Sequence, residues 1–425
     1  MNIRDRIKVE SKDYPLYNVR IDKYKQDGME IPFRVSEQPF TLTKPQRQEL
    51  GEIGHVICDY MDSVIELYNS SDEVRETLNK GKPDIYLNGQ APQYLFLRPD
   101  LILTREGFSV CEIETSPFGL ALAEILNNAY GQENFDTVIN QNTLKNYISS
   151  QAPEQGTIAY SDKTAAFSGQ IQFLAEQIFS EGGKKWDSSI IDGKNIDSKE
   201  IYRAFYLSEY LNDENVARLL EESKTFLPTL TPQFEEKAIL SFIWDSRFVD
   251  FFKSKLGEAD FKHLRRIIPP TWILGQEANF DLGMPRGITN SLSIADLEKG
   301  KRKFVLKQSG FSNSSSWAEG VAFLHKLSHK GAREKLEAAS KDSSHMYILQ
   351  DFKEGKHQKM EYTETDGTIK KMDAKIRITP YYSFSGRSKG ELLAAKVTGC
   401  EDTDYIHATT ASINTAVAMG RGEER

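Results

Sequence analysis

The sequence predicts a mixed fold, with α+β and α/β parts, built from two or three packed units. At 425 residues the chain is longer than a single compact core usually allows. Its hydrophobic content of 39%, with 11% aromatic residues, is typical of a folded globular protein. Helical and strand-like periodicities also alternate along it. We therefore divide it into residues 1–150, 151–275 and 276–425.

The first unit, residues 1–150, is predicted to combine helices with one hairpin. Apolar residues recur every three or four positions from Thr43 to about Lys80, which predicts a helix, and a second helix is expected from Phe118 to Tyr130. Between them, residues 94–114 form two apolar runs joined at Arg105-Glu106-Gly107. A glycine in that position favours a tight turn, so we predict a β-hairpin.

The second unit, residues 151–275, begins as an α/β unit. Gly156–Tyr160 predicts a strand, and Thr164–Phe179 predicts a helix that ends at Gly182-Gly183, where a left-handed cap is easily formed. Residues 199–257 are predicted to be mostly helical, with breaks at prolines.

The third unit, residues 276–425, is predicted to be α+β. Strands are expected at Lys303–Lys307 and Met346–Phe352, and a hairpin at Ala374–Tyr382 and Glu391–Thr398. A serine-rich loop after the first of these strands is predicted to lead into a helix from Trp317 to Leu327.

Charge and composition narrow the class of function. The net charge of −8 and pI near 5.6 argue against a general nucleic-acid binder. The chain has three well-separated cysteines, no signal-like N-terminus and no run of about 18 apolar residues. We therefore expect a cytoplasmic protein without a membrane span, and we leave its oligomeric state open.

The hairpin carries opposed acidic residues. A three-residue loop with Gly107 in the left-handed conformation would place Asp100 opposite Glu112 and Arg98 opposite Glu114. Two carboxylates opposite each other destabilise a sheet unless a cation lies between them, and Mg²⁺ prefers such hard oxygen ligands. A solvent-facing hairpin with a few charges is the alternative.

The serine-rich loop suits a phosphate site. Lys307 ends an apolar strand, and residues 308–316 follow it with Gly310, Ser312 and Ser314 among them. Backbone N–H groups, hydroxyls and the N-terminus of a following helix can all bind phosphate oxygens. A surface Ser/Asn linker would have the same composition.

Two further basic residues lie near this part of the chain. Arg377 falls on a predicted strand and Arg387 in the hairpin turn that follows it. Each could reach a phosphate, and each could equally be a solvated arginine on the surface.

Taken in order, these segments resemble the synthetase part of the glutathionylspermidine synthase family, whose fold is a circularly permuted ATP-grasp. The family's R-x-D motif, with an acidic residue and an asparagine 12 and 14 positions after the Asp, is matched by Arg98-Pro-Asp100, Glu112 and Glu114. Its N-K-A-I-L-x-x-I-W segment is matched by residues 236–244, with Lys237 as its lysine.

The resemblance implies an ATP-grasp domain with a preATP-grasp-like α/β subdomain. It also implies the cofactors ATP and Mg²⁺, with the metal bound by Asp100, Glu112 and Glu114. It assigns the nucleotide to Lys237, Lys307 and Gln350, to which we add the loop residues Gly310, Ser312 and Ser314. Catalytic roles toward phosphate fall to Arg98, Arg377 and Arg387.

The implied activity is that of an ATP-dependent carboxylate–amine ligase. Such an enzyme forms an acyl phosphate and then an amide bond, here on small-molecule or peptide substrates. Phosphoryl transfer requires charge stabilisation and exclusion of water rather than a nucleophilic residue. A phosphotransferase and a non-catalytic ATP-binding module are the alternatives.

The chain departs from the family pattern in three places. Glu114 stands where the family has asparagine, so it either binds the metal or pairs with Arg98. The family's lid arginine after the second lysine is missing, and an insertion at about 275–300 lengthens the spacing from Lys237 to Lys307.

Overall fold

The computed structural model describes residues 2–16, 33–87, 91–191, 196–210, 224–276, 281–312, 315, 320–364, 367–386, 389–401, 403–406 and 411–420. Within them the α-helices are α1 Ile3–Ser11, α2 Lys44–Ser70, α3 Asp72–Asn79, α4 Asp84–Leu87, α5 Leu120–Gln132, α6 Thr143–Gln151, α7 Ser168–Phe173, α8 Val249–Ile267 and α9 His329–Lys341.

The described residues also form β-strands, numbered here in chain order. They are β1 Arg34–Ser36, β2 Phe40–Leu42, β3 Phe96–Thr104, β4 Gly107–Glu114, β5 Gln155–Tyr160, β6 Lys185–Ile190, β7 Glu200–Ala204, β8 Thr225–Leu227, β9 Thr271–Ile273, β10 Phe304–Gln308, β11 Val321–Phe323, β12 Tyr347–Asp351, β13 His357–Thr363, β14 Ile369–Ser383, β15 Leu392–Glu401, β16 Ile413–Thr415 and β17 Val417–Met419. Strand and helix alternate along the chain, which confirms the predicted mixed α/β class.

The largest sheet has seven strands in the order β13-β1-β16-β15-β14-β3-β4. Strand β13 also pairs with β14, so five of the strands close into a ring. Helix α2 packs its apolar side on this sheet and against α8. It begins with a capping box between Thr43 and Gln46, which satisfies N–H groups that the first turn leaves unpaired.

A second sheet is fully parallel, in the order β6-β5-β7-β8. Helix α7 continues into a π-helical turn at Leu174–Phe179 between β5 and β6, as expected for a parallel crossover. The segment at 199–257 is helical in most of its described residues, as predicted, but the strands β7 and β8 within it were not predicted. Strand β7 pairs with β5 and β8 pairs with β7, and this pairing and their burial on the sheet decide their conformation, because local propensity is weak there.

The third sheet is antiparallel, in the order β11-β10-β12-β9, and α9 covers one of its faces. The predicted helix from Trp317 to Leu327 was wrong. Residues 317–319 lie outside the described residues, and Val321–Phe323 is a strand that pairs with β10. Its hydrogen bonds to β10 outweigh the helical periodicity of so short a segment. The serine-rich loop thus joins two strands.

The hairpin predicted at Ala374–Tyr382 and Glu391–Thr398 is confirmed. Strands β14 and β15 pair antiparallel around a turn, and β13 pairs with the first half of β14. Strands β2 and β17 form a short parallel pair. No helix of the described residues is long and apolar enough to cross a membrane.

Candidate active site

A cavity with about 350 Å³ of free volume separates the seven-stranded sheet from the antiparallel four-stranded sheet. Strands β3, β4, β14 and β15 form one wall, and β10 and β12 form the other. Tyr206, two residues beyond the carboxyl end of β7, lies at one end of it. A cleft of this size that brings together charged side chains from several strands is the usual form of a ligand site.

In the hairpin of β3 and β4, the residues that pair at the end away from the turn are those predicted. Arg98 faces Glu114 and Asp100 faces Glu112. Beyond Asp100 the register shifts by one residue, and Thr104 pairs with Gly107 instead of Phe108. The turn is therefore one residue shorter than predicted, and a β-bulge at Cys111 compensates.

This bulge reverses the faces of β4. Phe108 and Val110 pack into the core, while Ser109 and Cys111 line the cavity, contrary to the predicted alternation. The bulge matters to the site because it frees a carbonyl. The backbone oxygen of Cys111 accepts a hydrogen bond of 2.8 Å from the Lys307 ammonium on the opposite wall.

The three carboxylates predicted to bind metal are each paired with a cation. Arg98 Nε lies 3.1 Å from Asp100 Oδ1, and Arg377 Nη1 lies 3.0 Å from Asp100 Oδ2. Arg98 Nη2 lies 2.5 Å from Glu114 Oε1. The sequence left open whether Glu114 pairs with Arg98, and here it does. Asp100, with a side chain 1% exposed, has an arginine on each oxygen.

Glu112 and Glu114 have different electrostatic surroundings. Burial opposes ionisation of Glu112, but Lys237, Lys307 and two arginines outweigh it and lower its pKa to about 2. Burial raises the pKa of Glu114 to about 7, and the charges of Glu112 and Asp100 act in the same direction against Arg98. Glu112 is therefore a permanent carboxylate, whereas Glu114 titrates near neutrality.

Lys237 is held between the hairpin and the serine-rich loop. It begins a 3₁₀ helix, Lys237–Trp244, and its Nζ lies 3.3 Å from Glu112 Oε2. The same Nζ donates to the carbonyl of Ser315 at 3.1 Å. Gly310 is packed so closely that a Cβ there would lie 3.0 Å from the Glu235 carbonyl, so a larger residue would displace the start of the loop.

Lys307 and Gln350 form a connected pair on the opposite wall. Lys307 Nζ donates to Gln350 Oε1 at 2.7 Å, and Gln350 Nε2 donates to Thr271 Oγ1 at 3.1 Å. Lys307 also contacts the bulge at Cys111, as described above. Burial, together with the nearby charge of Lys237, lowers the pKa of Lys307. The strand positions of both side chains are as the sequence predicts.

The other loop residues contribute less than the sequence suggests. Ser312 is buried, and its carbonyl accepts hydrogen bonds from Ser315. Gly310 and Ser315 line the cavity. Ser314 and Arg387 lie outside the described residues. The next element of the described residues is β11, whereas the sequence predicted a helix whose N-terminus would face the phosphates.

Sequence reasoning missed a polar patch on β14 and β15. Lys396 pairs across the strands with Thr379, and both side chains line the cavity beside Arg377. Burial, together with the charges of Arg377 and Arg98, lowers the pKa of Lys396 to about 7. In the sequence, Lys396 stands in an ordinary apolar strand, so no local signal marks it.

Two aromatic clusters line the cavity. In one, the ring of Phe323 contacts those of Phe352 and Tyr405, with 4.7 Å between the centroids of Phe323 and Tyr405. In the other, Phe118 packs against Phe167 and Tyr206 with centroid distances of 5.7 and 5.3 Å. These clusters assemble residues far apart in the chain, which explains why the sequence does not indicate them.

The described residues contain no group of three or more His, Cys, Asp or Glu side chains arranged to hold a metal ion. Each carboxylate predicted to bind Mg²⁺ has an Arg or Lys partner instead. Neither the metal-binding nor the nucleotide-binding roles are tested by this arrangement, and they stay predictions.

No protein-family model matches the chain, and no curated protein matches it. Among solved structures, it is similar to a glutathione synthetase-like effector from Globodera pallida, with a TM-score of 0.56 and 11% identity over 99% of this chain and 96% of that one. This similarity shows that the two chains share a fold.

Two further solved structures have TM-scores too low to show a shared fold. A putative gamma-glutamylcysteine synthetase from Methylobacillus flagellatus has a TM-score of 0.42 and 13% identity, over 87% of both chains. D-alanyl-alanine synthetase A from Vibrio cholerae has a TM-score of 0.27 and 10% identity, over 63% of this chain and 89% of that one.

Proposed function

We propose that this protein is an ATP-dependent carboxylate–amine ligase of the ATP-grasp type, acting on a peptide or amino-acid substrate. The observation that carries the proposal is the convergence of Lys237, Lys307, Arg98, Arg377 and Glu112 on one cavity between two sheets. The shared fold with a glutathione synthetase-like effector supports it. Membership of the glutathionylspermidine synthase family and the circular permutation of the fold remain part of this proposal.

The lysines would bind the phosphates of ATP. Lys237 and Lys307 approach the cavity from different elements, and their partners are one carboxylate oxygen, one amide oxygen and backbone carbonyls. A phosphate oxygen is a stronger acceptor for an ammonium than a carbonyl, because the hydrogen bond is charge-assisted on both sides. ATP can therefore replace these partners without moving the strands.

The donor set on the cavity wall fits Mg²⁺ at two of the three predicted residues. The side chains of Glu112 and Glu114 are 24% and 27% exposed and present hard carboxylate oxygens to the cavity. Bound there, the ion would offset the negative charge of the β- and γ-phosphates. Asp100 has an arginine on each oxygen, so we assign it to positioning Arg98 and Arg377.

The two arginines would then face the acyl group. Fixed by Asp100, Arg98 and Arg377 are pre-organised to stabilise the charge that develops when the γ-phosphoryl group is transferred to a substrate carboxylate. Attack of an amine on the acyl phosphate forms the amide and releases phosphate. Water must be excluded from this intermediate, and the cavity between the sheets provides that shelter.

Hydroxylamine trapping tests this proposal without knowledge of the amine substrate. The protein is incubated with MgATP, hydroxylamine and a panel of amino acids and short peptides, and both ADP and hydroxamate are measured. A ligase forms the two products in equal amounts with at least one carboxylate. ADP without hydroxamate would indicate a phosphotransferase, and ATP binding without ADP formation would indicate a non-catalytic module.

Glu112→Gln is the variant that tests the site within this assay. We expect hydroxamate formation to fall at least 100-fold, since removal of a group that acts on the transition-state charge typically costs about 10²–10³ in rate. Glu106→Gln, at the exposed turn of the same hairpin, is the matched control and should keep normal activity. Near-normal turnover by Glu112→Gln would remove the metal-site assignment.

A further inference from the structure

We infer that Lys396, with Thr379 and the Nε side of Arg377, forms a binding subsite for the carboxylate of the substrate. The subsite is separate from the lysines assigned to ATP. The inference rests on the proposed ligase activity for the identity of the anion, whereas the presence of an anion subsite rests on the geometry alone.

Lys396 differs from the other cations that line the cavity in the partners that its side chain has. Most of these cations have a carboxylate within 4 Å among the described residues: Arg98, Lys237, Lys353, Lys375 and Arg377. Lys307 does not, but it donates to two acceptors at 2.7 and 2.8 Å. Within the described part of the chain, Lys396 has only the Thr398 hydroxyl as a partner, at 3.4 Å, and it is 5% exposed.

A buried ammonium with one long, neutral hydrogen bond is unfavourable. Its nearest charges make the situation worse, because Arg377 and Arg98 disfavour the protonated form and Asp100 only partly offsets them. An anion in the cavity would supply the missing counter-charge. A lysine retained in such a place is therefore better explained by a ligand than by stability.

Two further polar groups lie beside Lys396. The hydroxyl of Thr379, directly across the strand pair from Lys396, is buried without a hydrogen bond among the described residues. Arg377 uses Nη1 on Asp100, while its buried Nε has no hydrogen-bond partner in the same described ranges. An ammonium, a hydroxyl and a guanidinium N–H on adjacent strands offer donors suited to the two oxygens of a carboxylate.

The position of the patch favours the substrate rather than the nucleotide. Lys396 lies against Phe118-Gly119, since a Cβ at Gly119 would be 3.2 Å from Lys396 Cε. The φ of Gly119, +83°, also favours glycine at that position. Phe118 belongs to the aromatic cluster with Phe167 and Tyr206, whose members follow β4, β5 and β7, and none of them lies on the sheet that carries Lys307 and Gln350. The subsite thus joins an anion site to an apolar wall, as suits a peptide carboxylate.

The test compares N-acetylglycine with its uncharged amide, N-acetylglycinamide, in the wild type and in Lys396→Met. Affinities come from NMR titration of the full chain, and ATP binding is measured separately by calorimetry. We expect the wild type to bind the carboxylate about tenfold more tightly than the amide, the size of one hydrogen bond to a charged group. In Lys396→Met the preference should vanish while ATP affinity changes less than threefold.

Lys353→Met is the matched control, since Lys353 lines the same cavity but has Asp351 as its partner at 2.9 Å. It should keep the preference for the carboxylate. A preference that persists in Lys396→Met while ATP still binds would overturn the subsite and leave the ligase proposal standing. Loss of ATP affinity in Lys396→Met would assign the anion to a phosphate and overturn the carboxylate assignment.

The two proposals can fail separately. If the wild type binds no ATP but prefers the carboxylate through Lys396, the anion subsite is supported and the ligase proposal is overturned. Lys396→Met is expected to fold, because methionine keeps the unbranched shape and most of the length of the side chain and removes a buried charge that has no counter-ion among the described residues. A melting temperature at least equal to that of the wild type would support this account of Lys396.

Discussion

The two walls of the cavity hold their polar groups in different ways. On the antiparallel four-stranded sheet, a short chain of hydrogen bonds with neutral acceptors connects Lys307, Gln350 and Thr271. On the seven-stranded sheet, Arg98 binds two carboxylates and Arg377 shares one of them. The first wall can accept a phosphate by exchanging one hydrogen bond, while the second must rearrange ion pairs.

This difference shows how a site with many buried charges remains stable. Buried ions are costly to desolvate, and the arginine–carboxylate pairs offset that cost inside the protein. Lys396 is the exception, since it lies beside the ion-pair wall and has no carboxylate partner among the residues that the structure describes. The contrast predicts which substitutions unfold the protein and which affect only ligand binding.

The largest effect is expected on the ion-pair wall. Arg98→Met would leave Asp100 and Glu114 without their shared guanidinium and remove the hydrogen bond to the Phe118 carbonyl. Breaking a buried pair from one side typically costs about 3–5 kcal/mol of the free energy of unfolding. Urea unfolding measures it, with Arg105→Met at the exposed turn as the control. A loss below 1 kcal/mol would show that the wall is not held by Arg98.

A smaller effect is expected on the hydrogen-bonded wall. Gln350→Leu removes one acceptor of Lys307 and the donor to Thr271, and such a buried loss typically costs about 1–3 kcal/mol. Gln350→Glu keeps an acceptor for Lys307 and is the matched comparison. Equal destabilisation by Gln350→Leu and Arg98→Met would erase the proposed difference between the walls.

The third effect is a change of stability with pH. Folding lowers the pKa of Lys396 from its ordinary value of 10.5 to about 7. Between these values the unfolded chain binds the extra proton, so this residue makes stability rise with pH, by at most about 1.4 kcal/mol per pH unit. Below pH 7, the charged form of Lys396 destabilises the folded protein to its full extent. Above pH 7, the side chain loses its proton in the folded protein and this destabilisation decreases.

Urea unfolding of the wild type and Lys396→Met between pH 6 and 9.5 isolates that contribution, since all other groups are common to both. We expect the variant to be the more stable of the two at pH 6, with the difference shrinking as the pH rises. A difference that is constant with pH would show that Lys396 does not titrate in this range.

The hairpin shows how much of the site is predictable from sequence. One glycine and two opposed acids were enough to place Asp100 opposite Glu112 and Arg98 opposite Glu114. The bulge at Cys111 was not predictable, because it depends on the shorter turn and on the packing of Phe108 and Val110 into the core.

The rest of the site depends on long-range pairing. Lys307 and Gln350 were predicted on strands, but their hydrogen bond needs β10 and β12 to be neighbours. Lys396 was missed because its surroundings come from β14 and from the Phe118-Gly119 segment, which are distant in sequence. The strand β7 was taken for helix for the same reason, since its pairing with β5 decides its conformation.

The central claim is that the cavity between the two sheets binds ATP through Lys307, and calorimetric titration of MgATP tests it most directly. The comparison is between the wild type, Lys307→Met, and Lys303→Met as an exposed control directly before the same strand. The account predicts one bound ATP in the wild type and the control, and at least tenfold weaker binding in Lys307→Met, whose fold is checked by near-UV circular dichroism. No ATP binding by the wild type, or undiminished binding by a folded Lys307→Met, would contradict it.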